Sequence, residues 1–182
     1  MRIIGGKNKG KKLKTFDGDE IRPTSDRARE SLFNILMPRL LGCDFLDLCS
    51  GTGAVGIEAI SRGANSVTFV DASKDSAKIA EFNLKSISNN TKVKVCDAIR
   101  FVKETNLKFD IIFFDPPYAY LGFEEIMLEV QSRNLLKEDG LFIYEHKSDK
   151  PSQQIKGFTL KDSRKYGIAV FDFYCREAKL WK

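Results

Sequence analysis

Asp44-Phe-Leu-Asp-Leu-Cys-Ser-Gly-Thr-Gly-Ala-Val-Gly56 is the stretch on which the reading of the fold turns. Phe45, Leu46 and Leu48 make an apolar run of strand length, and Gly51, Gly53 and Gly56 follow at the spacing of a nucleotide-binding turn. Val55, Ile57, Ala59 and Ile60 then recur at helical spacing between Ala54 and Arg62. The glycines therefore sit at a strand-to-helix turn, where open α/β sheets bind small molecules. Glycine suits such a turn because a side chain would block close approach of a ligand to the backbone and forbid the required dihedrals.

Gly-x-Gly-x-x-Gly also occurs in ordinary turns, so the surrounding carboxylates carry the argument. Asp71 ends a second apolar run, Val67–Val70. A carboxylate there can accept hydrogen bonds from both hydroxyls of a ribose, or it can cap the helix that begins near Lys74. Asp47, just ahead of the turn, would repel a pyrophosphate and suits a cationic ligand. S-adenosylmethionine, with a sulfonium and an α-ammonium, is such a ligand, and the pattern resembles the first motif of the class I methyltransferases. Asp97 follows a third strand-like run, Val93–Cys96, and belongs in the same crevice, within reach of an adenine amino group. As an isolated residue Asp97 could equally cap the next helix.

Upstream, the net charge of +5 is concentrated: residues 1–40 hold ten Lys or Arg against five Asp or Glu, and the remaining 142 balance to zero. Arg2, Lys7, Lys9, Lys11, Lys12 and Lys14 are interleaved with Gly5, Gly6 and Gly10 and meet no acid. Ile3-Ile4 and Leu13 can form a small hairpin that brings these lysines to a phosphate backbone; a solvated basic tail fits the composition equally. From Ile21 to Leu36 the caps Thr24, Ser25 and Asp26 precede an apolar stripe of Ala28, Leu32, Phe33 and Leu36, which predicts a helix that Pro38 ends. Arg22, Arg27 and Arg29 lie near its start as exposed cations, working against the helix dipole unless an anionic ligand relieves them.

Downstream, helices and strands alternate. A helix is expected from about Asp75 to Ile87, a short one from Ala98 to Lys103 and another within Phe123–Leu136; strands are expected at Val93–Cys96, Phe109–Phe114 and Gly140–Tyr144. This order predicts a parallel sheet with right-handed crossovers and helices on both sides. Phe158–Leu160 and Ile168–Tyr174, separated by a turn at Tyr166-Gly167, predict an antiparallel pair at one edge. Cys43, Cys49, Cys96 and Cys175 lack metal-ligand spacing and read as reduced thiols, so no metal is expected. No apolar run has the length of a membrane span and no signal-peptide core opens the chain, so a soluble, cytoplasmic protein is expected.

Asp115-Pro-Pro-Tyr118, at the end of the fourth strand, carries the chemistry. Two successive prolines fix a rigid extended turn at the rim of the sheet. An exocyclic purine amino group is a poor nucleophile, its lone pair delocalised into the ring. The Asp115 carboxylate and the Pro116 carbonyl can accept its two hydrogens and aim a pyramidal nitrogen at a methyl donor, Pro117 stiffens the turn, and Tyr118 offers a stacking face. Asp115 could also take the departing proton, directly or through water. His146, the only histidine, follows the fifth strand and has no part in this chemistry.

These motifs are similar to those of nucleic-acid amino-group methyltransferases. With Arg2-Ile-Ile-Gly-Gly-Lys7, the basic residues to Lys14, Arg22-Pro-Thr-x-Asp-Arg-x-Arg-Glu30 and Leu32-Phe-Asn34, the chain resembles the bacterial RsmD family from Arg2 to about Glu145. The resemblance implies a Rossmann-like class I methyltransferase fold, α/β with a seven-stranded, mostly parallel sheet and an antiparallel closing hairpin. It implies a basic hairpin-and-helix extension over residues 1–40 and an S-adenosylmethionine-dependent domain over 41–182. The implied activity is methylation of guanine N2 in 16S ribosomal RNA, on the RNA or the assembling small subunit, by a monomer. Asp47, Gly51, Gly53, Gly56, Asp71, Asp97 and Thr24 would face the cofactor, and Lys7, Lys9, Lys11, Lys12, Arg22 and Arg27 the RNA. An adenine-N6 methyltransferase is the alternative, since Tyr118 is also usual there. A dehydrogenase is the third reading, and it leaves Asp115–Tyr118 unexplained.

Overall fold

A computed structural model describes residues 1–16, 26–87 and 90–177. The elements are α1 (Asp26–Leu40), β1 (Asp44–Leu48), α2 (Ala54–Ser61), β2 (Ser66–Asp71), α3 (Lys74–Leu84), β3 (Thr91–Val95), α4 (Ala98–Glu104), β4 (Phe109–Phe114), α5 (Phe123–Ser132), β5 (Leu136–Lys147), β6 (Phe158–Tyr166) and β7 (Ala169–Arg176). The strands form one sheet in the order β3-β2-β1-β4-β5-β7-β6, with β1 to β5 parallel and β7 antiparallel to both of its neighbours. The chain leaves β1 toward β2 on one side, while β4 flanks β1 on the other. That reversal opens a crevice at the carboxyl ends of β1 and β4.

Strand side chains alternate between two cores, as the pleat requires. Phe45, Phe69, Ile111, Phe113 and Ile143 pack with Leu32, Phe33 and Leu36 of α1 and Ile57 and Ile60 of α2. Leu46, Leu48, Val70, Ile112, Phe114 and Phe142 pack on the other face with Phe101 and Val102 of α4 and Ile126, Met127 and Val130 of α5. Both faces of the central strands are covered, which is why β4 reads as a continuous apolar run apart from Asp110. Asp110 sits at the opposite end from the crevice, where it accepts hydrogen bonds from the Asp44 amide and Lys137 Nζ, each at 2.8 Å.

The structure shifts several expected boundaries. Pro38 lies inside α1, because a proline in the last turn removes one hydrogen bond while Leu40 remains fully buried. α3 stops at Leu84, and Ile87 follows in a turn closed by its amide on the Leu84 carbonyl. β5 starts four residues before Gly140; two steps along β4 from Phe109 to Ile111 face five along β5 from Leu136 to Leu141, an irregularity that no period-two pattern signals. The amino-terminal segment is a docked hairpin. Arg2 bridges Lys12, Ile3 and Leu13 are buried in the α1/α2 core, and Glu58 accepts hydrogen bonds from the amides of Ile4 (2.8 Å) and Gly5 (2.7 Å).

Candidate active site

The crevice is built from residues at the ends of β1, β2, β4 and β5. After Leu48 the backbone enters the left-handed region at Cys49 (φ 66°), Gly51 (φ 53°) and Gly53 (φ 82°), and α2 starts immediately afterwards. Cys49 is the costly one, since an L side chain pays about 1–2 kcal/mol there. The turn is tied down by Ser50 N donating to the Val70 carbonyl (2.9 Å) and Gly51 N donating to Asp71 Oδ2 (2.8 Å). Asp71 Oδ1 accepts from the Ser73 amide (2.8 Å), and it is Ser73 that caps α3. Each Asp71 oxygen keeps a lone pair for a further donor.

The three glycines have different reasons. A Cβ at Gly51 would stand in open space, as expected of a position a ligand approaches. A Cβ at Gly56 would lie 2.4 Å from Phe69 Cε1, so this glycine serves helix-to-strand packing, and the expectation of ligand approach does not hold there. Gly53 combines left-handed backbone with close neighbours, Ala80 Cβ and Phe69 Cε1, each at 3.3 Å from an added Cβ.

Asp47 lies beneath the turn, fully buried, its Oδ2 accepting from the Gly56 amide at 2.8 Å. Burial pushes its pKa up to about 7; the Gly56 N–H opposes this and the Asp71 charge adds to it. Asp97 spends Oδ1 on capping α4, accepting from the amides of Ile99 (2.9 Å) and Arg100 (3.3 Å) at the rim beyond β3. The helix-cap reading of Asp97 is therefore realised, with the carboxylate still at the carboxyl ends of the strands.

Asp115 follows β4 directly, its amide donating to the Leu48 carbonyl (3.3 Å). Phe114 pairs with Tyr144 in register, which sets Asp115 beside Glu145 of β5 on the face that also carries Asp47. Burial, then the charges of Glu145 and Asp47, push Asp115 well above the usual carboxylate range. Pro116 is buried, Pro117 and Tyr118 are exposed, and the Tyr120 amide closes the turn on the Pro117 carbonyl at 2.7 Å. Tyr120 packs edge-on against Phe114, ring centroids 5.5 Å apart. The glycine turn and Asp115–Tyr118 thus flank the same strand-order reversal.

The basic residues divide. Lys7, Lys9, Lys12 and Arg27 are exposed, while Lys11 is half-buried with Nζ donating to the Ser86 carbonyl at 2.9 Å. Arg29, expected at the surface, is fully buried and donates to the Arg2 carbonyl (2.7 Å) and Asp26 Oδ1 (3.0 Å). It shares the stripe of Leu32, Phe33 and Leu36 at helical spacing, a signal visible in the sequence. Thr24 and Arg22 lie outside the described residues. Glu145 was missed altogether; its place after the apolar run Leu141–Tyr144 marked it as a strand-end residue. The four cysteines are free thiols, and among the described residues no group of three His, Cys, Asp or Glu could hold a metal. Among the described residues no helix is long and apolar enough to cross a membrane.

Residues 1–175 match the family model described as Conserved hypothetical protein 95. The chain is 34% identical over 179 residues to Ribosomal RNA small subunit methyltransferase D of Haemophilus influenzae, an alignment spanning 96% of this chain and 93% of that protein. The chain belongs to the RsmD family. Another relative, Ribosomal RNA small subunit methyltransferase D of Escherichia coli K12, is 30% identical over 181 residues, spanning 98% of this chain and 91% of its own. The solved structure of yhhF from Escherichia coli superposes with a TM-score of 0.89 at 31% identity, covering 98% of this chain and 99% of its own. The fold is accordingly the Rossmann-like class I methyltransferase fold, its parallel sheet closed by the antiparallel β6 and β7.

Proposed function

We propose that this RsmD-family protein transfers a methyl group from S-adenosylmethionine to the exocyclic N2 amino group of a guanine in 16S ribosomal RNA. The observation that carries the reading is the placement of Asp115-Pro-Pro-Tyr118 across the β1/β4 reversal from the glycine turn, with Asp115 beside Glu145. Membership of a family whose relatives are named ribosomal RNA small subunit methyltransferases supports the RNA substrate.

The crevice fits the cofactor. Open space at Gly51 admits a ligand to the backbone, and the buried Asp47 supplies negative potential suited to a cation. Asp71 would accept the ribose hydroxyls, Asp97 the adenine amino hydrogens, and the Gly51–Gly53 backbone with Thr24 would line the amino-acid end; Gly56 contributes through its hold on Asp47. Bound there, S-adenosylmethionine supplies an electrophilic methyl group on a sulfonium. Asp115 and the Pro116 carbonyl accept the two hydrogens of the base amino group and hold its nitrogen in line for attack. The proton released as the N–C bond forms passes to the Asp115 carboxylate, directly or through one water. Tyr118 gives the extruded base a ring to stack on, and Pro117 limits the turn's motion. Lys7, Lys9, Lys11, Lys12, Arg22 and Arg27 contact RNA phosphates, and the protein acts as a cytoplasmic monomer.

The test is tritiated methyl transfer to small subunits and RNA from cells lacking this gene, followed by nucleoside analysis. Labelled N2-methylguanosine is the expected product. Labelled N6-methyladenosine would move the activity to adenine, and absence of label from RNA would overturn the reading. Replacing Lys7, Lys9 and Lys12 by Ala should lower the slope of log affinity against log salt by roughly 2–3, at about 0.9 per phosphate contact.

A further inference from the structure

His146 takes no part in the proposed chemistry, yet it belongs to a buried polar cluster centred on Asp172. Asp172 of β7 is wholly buried and is met by three donors, His146, Ser152 and Ser163. Its Oδ2 faces His146 Nε2 at 3.0 Å and lies 3.3 Å from Tyr174 OH, whose proton has a shorter bond to the Gln153 carbonyl. Its Oδ1 accepts from Ser152 Oγ at 2.9 Å and Ser163 Oγ at 2.6 Å. The other imidazole nitrogen, Nδ1, faces the Lys147 carbonyl at 3.0 Å. Both ring nitrogens thus point at acceptors, and an imidazole satisfies two acceptors only when it carries both protons.

This cluster fixes the segment that follows β5. The Lys147 carbonyl that faces His146 also accepts the Lys150 amide at 3.0 Å. Ser148 N donates to the Ile168 carbonyl (2.8 Å) and Tyr174 OH to the Gln153 carbonyl (2.9 Å), so the segment is fastened on both sides of Lys150. Lys150 Nζ then reaches across to the Tyr118 carbonyl at 2.7 Å. The Asp115–Tyr118 turn, stiffened internally by its prolines, has in this bond a tie from a neighbouring segment.

We propose that Lys150, held by the His146–Asp172 cluster, is a positioning residue that fixes the Asp115–Tyr118 turn for the target base. The proposal rests on the reading that this turn receives the base. The charge state of His146 makes the tie sensitive to pH. Burial opposes the imidazolium, but the bond to Asp172, the bond to the Lys147 carbonyl and the Asp172 charge outweigh it, and the pKa is raised; Lys150 acts in the lowering direction. The titratable groups around the ring are Asp172 and Tyr174 from β7, Tyr144 stacked at 5.1 Å on its own strand, and Lys150 from the segment beyond; Lys147 meets the ring through its carbonyl. As pH rises through the raised value the ring loses one proton, and one of its two acceptors goes unserved.

The experiment compares the full-length protein with Lys150→Met, Lys150→Gln and His146→Asn. It reads hydrogen exchange at the Tyr120 amide, methyl transfer to small-subunit RNA, cofactor affinity, and RNA affinity against salt. Lys150→Met should speed Tyr120 exchange at least about tenfold and lower kcat by a similar factor, with cofactor affinity and the salt slope unchanged. Lys150→Gln, which keeps an N–H donor, should recover most of both. The wild type should lose activity on the alkaline side, and His146→Asn, which keeps a permanent donor near Nδ1, should lack that limb. Unchanged Tyr120 exchange in Lys150→Met overturns the tie itself. Faster exchange with undiminished kcat instead overturns the reading of the turn as the base platform. A salt slope lower by about 1 in both Lys150 variants would make Lys150 a phosphate contact.

Discussion

The two halves of the crevice surround their carboxylates with different partners. On the β1–β2 side Asp47 and Asp71 are each bonded to backbone amides, of Gly56 on one and of Gly51 and Ser73 on the other. Their charges are spent on shaping a turn. On the β4–β5 side Asp115 and Glu145 stand next to each other at the strand ends, and the neighbouring charge helps to push Asp115 upward. The first half is braced by amide donors, and the second sets two carboxyl groups side by side. The same residue type serves both ends because amide donors are supplied to one pair and a second carboxylate to the other.

The sharpest way to break this contrast is to disturb the support of the β4–β5 side from behind. Asp172→Asn leaves the buried His146 without its counter-ion, and loss of one member of a buried pair costs about 3–5 kcal/mol. Thermal unfolding should show a Tm lower by roughly 6–20 °C for a chain of this size. The His146 contribution to stability is complete below its ordinary pKa and lost as pH rises through the raised one, so the Tm gap between wild type and variant should narrow at alkaline pH. Asp115→Asn comes next. Turnover should fall by about 10²–10³-fold, as when one oriented group at a reacting centre is removed, with calorimetric cofactor affinity unchanged. An equal loss of cofactor affinity would erase the division between the halves.

Smaller effects sharpen the β1–β2 side. Gly56→Ala forces a Cβ onto Phe69 and should cost about 1–3 kcal/mol in chemical denaturation, whereas Gly51→Ala meets no atom, costs about 1–2 kcal/mol through its left-handed backbone, and should also weaken cofactor binding. The smallest effect is in pH. A cationic ligand favours ionised Asp47, whose pKa lies at about 7, so cofactor affinity should rise with pH up to about 7 and level off above it. The slope below that point is at most about tenfold per pH unit for one proton, and Asp47→Asn should flatten it.

The β1–β2 side was legible in the sequence because its parts are close in the chain: glycines at fixed offsets, Asp71 twenty residues on, a strand-end rule that placed Asp97. Asp115–Tyr118 was legible for the same reason. What the sequence hid depends on which distant strands become neighbours. Glu145 acquires a role from its register against β4, and His146 from a partner 26 residues away. Arg29 was misplaced because a guanidinium on an apolar stripe was weighed by its charge, while its carbonyl and carboxylate partners come from the hairpin and the helix end. The hairpin itself stayed undecided between two readings because its docking partner, Glu58, sits in an otherwise apolar helix more than fifty residues downstream.

That docking bears on how the chain is made. Glu58 is 54 residues beyond Ile4, and Asn83, which accepts from the Lys14 amide, is 69 residues further along than its donor. The basic hairpin is therefore synthesised before its seat and waits for Glu58 and Asn83 to follow it. At about 5–20 residues per second the interval is roughly 3–14 s, during which Arg2 and the lysines to Lys14 travel on an undocked segment. A foreign segment fused ahead of Met1, whose carbonyl accepts the Leu13 amide at 3.1 Å, would burden that docking step.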